Sequence, residues 1–110
     1  MGWLDEVEKE LGRAREAQRL GNAGRVRTAA RRAVGLAVTE YQQRISEKQY
    51  GGDFMRQVRG IAEDTSLPEE VRSAAKRLQS RIAEDFTSAS RQPLADAQTI
   101  IDFIQRALTS

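Results

Sequence analysis

Apolar residues recur every three or four positions along most of this chain, and no stretch alternates as a half-buried strand would. That spacing draws a single apolar stripe down an α-helix. Leu4, Val7, Leu11, Ala14 and Ala17 mark a first helix over about 4–20. Val26, Ala30, Ala33, Val34, Ala37, Tyr41 and Ile45 mark a second and longest one, over about 23–48. Phe54, Val58, Ile61 and Ala62 give a short third helix over 54–63. A fourth carries Val71, Ala74, Ala75, Leu78, Ile82 and Phe86 and ends near 85. Leu94, Ala97, Ile101, Ile104 and Leu108, reinforced by Ile100 and Phe103, form the fifth.

The breaks between stripes have stop and start chemistry. Gly21 suits the left-handed position after a helix, and Asn22 suits an N-cap. So short a break makes the first two helices antiparallel neighbours. Gly51 and Gly52 mark the clearest turn, with Asp53 as the next cap. Ser66-Leu-Pro-Glu69 has the capping-box pattern with proline in the first turn, and Pro93 opens the last helix. The prediction is an all-α fold, an antiparallel up-down bundle of four main helices plus one short helix. It forms one domain over 1–110, with helices 1 and 2 as one hairpin, helices 4 and 5 as another, and helix 3 as a connector. Gly35 and Gly60 lie inside predicted helices, where a glycine costs about 1 kcal/mol against alanine. Gly35 points to close approach by another helix, whereas Gly60 merely weakens the third.

The composition excludes much chemistry. There is no cysteine, so disulfides, thiolate nucleophiles and sulfur-ligated metals are out. With no histidine, the usual general base and the commonest metal ligand are missing too. No cofactor or metal is expected. The start Met-Gly-Trp-Leu-Asp-Glu is acidic and amphipathic rather than a signal peptide. Glu6 occupies the place where a myristoylation signal needs Ser or Thr. No apolar run is long enough for a bilayer, so a cytoplasmic location and no membrane contact are expected.

The hairpin Ala14-Arg-Glu-Ala17, Gly21-Asn-Ala-Gly-Arg-Val26, Ala30-Arg-Arg-Ala33 and Ala37 resembles the first two helices of HEPN domains (higher eukaryote and prokaryote nucleotide-binding). Leu67-Pro-Glu-Glu-Val-Arg-Ser-Ala-Ala75 and Pro93-Leu-Ala-Asp-Ala97 with Ile101 look like their final helices. The resemblance spans residues 4 to 108. Many HEPN proteins are ribonucleases that use Arg followed four to six residues later by His. This chain has no His, so no catalytic residue carries over and no enzyme activity is expected. What the resemblance implies is a non-catalytic member, of a family that is often dimeric.

One uneven feature remains. Fifteen of the 18 basic residues are arginine. Arg13, Arg15, Arg19, Arg25, Arg27, Arg31 and Arg32 face only Glu16 across residues 11–32, a net charge of +6. In an antiparallel hairpin they gather at one end of the bundle. Arg19, Arg25, Arg27, Arg31 and Arg32 are the candidate phosphate or nucleic-acid contacts. The competing explanation is a solvated face paired with Glu and Asp. The acidic group Glu63, Asp64, Glu69 and Glu70, with Glu84 and Asp85, reads as capping and solubility rather than a Mg²⁺ site. Gly21 with Gly24, and Gly51 with Gly52, lack the preceding strand of a phosphate-cradling loop and read as turns. Trp3 could staple the N-terminus or enter a dimer interface, and a buried Tyr41 needs a partner for its hydroxyl. The expected role is a non-catalytic interaction domain binding another protein or itself. A nucleic-acid or nucleotide-binding accessory is the alternative.

Overall fold

The computed structural model describes residues 2–79 and 92–109. Five helices follow in order: α1 (Trp3–Arg19), α2 (Ala23–Arg44), α3 (Phe54–Glu63), α4 (Glu69–Gln79) and α5 (Pro93–Thr109). No strand occurs among the described residues. α2 is the spine, with α1 against one flank and α5 against another, and α4 on α5. Val7, Leu11, Val34, Val38, Val58, Ile61, Val71, Leu78, Ile100 and Ile104 lie fully buried in one continuous core. Tyr41 joins it, its ring edge-on to Phe103 with centroids 6.2 Å apart, a geometry aromatic quadrupoles favour.

Turn chemistry places the ends as the sequence predicts in two cases. Gly21 sits at φ +74°, and the Asn22 side chain accepts from the Arg25 N–H. Asp53 likewise accepts from the Arg56 N–H at 3.0 Å. Three expectations need correction. α2 stops at Arg44 rather than near Lys48, with Ile45 already in extended backbone. Two side chains explain the stop. Gln42 Oε1 accepts from the N–H groups of Tyr50 and Gly51, and Gln42 Nε2 donates to the Gly51 carbonyl. Lys48 is drawn to Asp64 at 2.9 Å. Ile45 still packs on the core from outside the helix.

Ser66 does not close a capping box on α4: the helix starts three residues on, at Glu69, while Ser66 Oγ accepts from Lys48 Nζ and the Ser66 N–H and hydroxyl both donate to Asp64 Oδ1. The run of α4 is described to Gln79, so the expected stretch to 85, with Ile82, Phe86, Glu84 and Asp85, lies outside the described residues. α3 is also more than a connector. It forms a hairpin with α4 as intimate as the α4–α5 pair, and it touches α2. The α4–α5 corner is pinned by Arg77, whose Nε and guanidinium nitrogen donate to buried Asp96 at 3.1 and 2.8 Å. Asp96 also lies in the first turn of α5, where the helix dipole favours an anion.

Candidate functional site

The arginines divide between two sides of α2. Arg25 and Arg32 are exposed and, with Arg13, border a groove of about 580 Å³ between the end of α1 and the start of α2. Glu10 and Glu16 border the same groove, and the two carboxylates hold Arg13 and Arg19 respectively. Arg19 lies outside the lining. Arg27 and Arg31 turn the other way and are half-buried. Arg31 Nε donates to the Leu78 carbonyl at 3.1 Å, and its guanidinium sits 5.8 Å from the Phe54 ring centroid. Burial, then the nearby Arg27 charge, lowers the Arg31 pKa. Arg27 Nε is buried with no hydrogen-bond partner among the described residues. The side of α2 follows from the 100° step per residue: positions 25 and 32 are two turns apart, whereas 27 and 31 lie on a different edge. Among the described residues, only Arg13, Arg25 and Arg32 therefore share a concave surface at the hairpin end.

A second groove, about 790 Å³, runs over the outer face of α2. Its floor is Gly35 and Leu36, and Trp3 of α1 and Phe54 of α3 form its walls. Arg31 and Arg32 stand toward one end and Glu40 and Gln43 toward the other. Leu36 is 38% exposed, one of the few large apolar side chains left in solvent. Sequence reading passed over it, though the signal was present: Leu36 is out of phase with the buried stripe through Ala30, Ala33, Val34 and Ala37. Gln57, buried beneath the same groove, was missed because a glutamine carries no periodicity signal. Its amide donates to Thr39 Oγ1 at 3.1 Å and tethers α3 to α2.

The densest polar cluster lies away from both grooves. Asp64 Oδ2 accepts from the Tyr50 hydroxyl at 2.6 Å and from Lys48 Nζ at 2.9 Å. Asp64 Oδ1 accepts from the Ser66 N–H and hydroxyl. Burial alone would raise the Asp64 pKa, but the bonds from Ser66, Tyr50 and Lys48 outweigh it and hold the carboxyl well below the usual range. Burial, then the bond to Asp64, pushes the Tyr50 hydroxyl far up, and Asp64 raises Lys48. Each group is thus stabilised in its resting protonation state. A general base or nucleophile needs the opposite, a pKa brought toward neutrality. The cluster is a structural clip between the 45–53 loop and the end of α3. It also accounts for Asp64 within the acidic group; Glu63, Glu69 and Glu70 are exposed beside it. No group of three or more potential metal ligands occurs among the described residues. No helix among them is long and apolar enough to cross a membrane.

No family model matches the chain, and no curated protein or solved structure matches it either.

Proposed function

We propose that this chain is a non-catalytic helical interaction domain whose working surface is the groove over α2. The observation that carries it is Leu36, held in solvent beside Gly35 between Trp3 and Phe54. An apolar floor between two aromatic walls, with charged residues at both ends, suits an amphipathic helix laid lengthwise. The lining from Thr28 to Gln43 spans roughly 22 Å of helix, enough for about four turns of an occupant. Likeness of the α1–α2 hairpin to non-catalytic HEPN domains supports the same reading. A photo-crosslinking amino acid at position 36 tests it in the cells that make the protein. Covalent adducts with a protein are expected at 36 and not at Arg59, which is exposed on the far hairpin. Equal labelling at the two positions, or none at 36, would defeat the proposal.

A second reading rests on the other groove, where Arg13, Arg25 and Arg32 meet. Three arginines around one concavity could hold successive phosphates of a single strand. Because Glu10 and Glu16 share that lining, the field is mixed and the affinity modest. Anisotropy of a labelled single-stranded RNA should then rise with protein at low salt and fall back as salt is added. Loss of the signal in Arg25→Ala/Arg32→Ala is also expected. A flat titration at low salt removes this reading.

A further inference from the structure

We infer that the occupant of the α2 groove is a second copy of this chain, its α2 antiparallel to the first across a two-fold axis at Leu36. This rests on the groove being a helix-docking face. Arg32, Leu36 and Glu40 form one row along the helix, each four residues from the next, and all three line the groove. A two-fold axis through the middle of such a row places residue 36 against its own counterpart. It also places Arg32 of each copy against Glu40 of the other, so both charge pairs form at once. The next positions out, Thr28 and Arg44, meet as a neutral and a charged group, so no like charges are opposed. A partner of unrelated sequence would have no reason to meet a row whose charges are mirror complements about its own centre.

Two features fit that crossing. Arg32 is exposed and makes no ion pair among the described residues, while Glu40 holds only the exposed Arg44, at 2.7 Å. Gly35, next to the axis, has no internal need to be glycine. A Cβ there would meet Gln57 Oε1 at 3.7 Å and Phe54 Cδ1 at 3.9 Å, which are ordinary contacts. The missing side chain instead lowers the ridge of α2 where a second helix would cross it.

Charge reversal in sedimentation velocity decides the matter. The native chain is expected to pass from monomer to dimer along a concentration series, with the transition moving to higher concentration as salt is added. Arg32→Glu or Glu40→Arg alone opposes like charges twice in each dimer and should weaken association by about 30-fold or more. An equimolar mixture of the two variants should recover a heterodimer, and the double variant should self-associate again. Thermal melts of the single variants confirm that both remain folded. A native chain that stays monomeric throughout, or a dimer indifferent to both reversals, overturns the second-copy assignment. Crosslinks from position 36 to a different protein would then leave the docking groove standing, whereas their absence would remove both.

Discussion

Asp64→Ala is expected to be the most damaging of the polar substitutions, lowering stability by about 3–5 kcal/mol. The carboxylate accepts four hydrogen bonds, from Tyr50, Lys48 and both donors of Ser66. Its removal leaves the half-buried Tyr50 phenol without its acceptor and Lys48 with only Ser66 Oγ, at 2.6 Å, and the 45–53 loop loses its anchor on α3. At about 4–8 °C per kcal/mol for a domain near this size, the melting temperature should fall by more than 10 °C. Arg44→Ala, which breaks only an exposed pair within α2, should change it by about 2–4 °C at most. The cluster also sets a pH window. Asp64 is depressed in the folded chain, so its contribution is complete above the unfolded carboxyl value of about 3.9 and fades as pH falls through the lower folded one. Lys48 and Tyr50 are raised, so theirs is complete below about 10 and lost as pH rises through their folded values. Thermal melts should therefore show a plateau between about pH 5 and 9, and Asp64→Ala should lower that plateau and flatten its shoulders, because the shifts that end it depend on the carboxylate. An unchanged melting temperature in that variant would show that the clip bears no load.

Gly60→Ala should lower stability by about 2–4 kcal/mol, although helix propensity alone predicts a gain of about 1 kcal/mol. A Cβ at position 60 would stand 2.6 Å from Cβ and Cγ of Tyr50. Tyr50 cannot step aside, because its hydroxyl is held by Asp64 and its N–H by Gln42. Gly35→Ala is the matched control. There the added methyl has room, and propensity should dominate with a gain of up to about 1 kcal/mol at concentrations where the chain is monomeric. Denaturant titration of the pair checks both signs. Equal shifts in the same direction would mean that the contact at Tyr50 is soft.

These glycines show how far local sequence information reaches. Both read as interior glycines with a propensity cost, and only Gly35 suggested close approach. Within the chain the close approach belongs to Gly60, because the partner is Tyr50, ten residues back in a loop whose path no helical period encodes. The end of α2 is similar. The apolar repeat carries on to Ile45, yet the helix stops at Arg44 because Gln42, Lys48 and Asp64 draw the following residues into another path. The arginine run was legible as charge, but its division was not. Whether Arg31 reaches the Leu78 carbonyl or the solvent depends on where the end of α4 comes to lie.

The recurrence of apolar residues every three or four positions determined by itself that this protein is a bundle of helices, and Asn22, Asp53 and Pro93 determined where three of the five begin. Those signals are local: a period of 3.6 residues and a cap three residues long are complete within one segment. Tertiary structure alone decided that α3 packs as a full partner of α4, that Asp64 binds Tyr50 and Lys48, and that Leu36 stays in solvent between Trp3 and Phe54. Each depends on residues distant in sequence meeting at a few ångströms, a distance set by how the helices pack rather than by the order in which they occur.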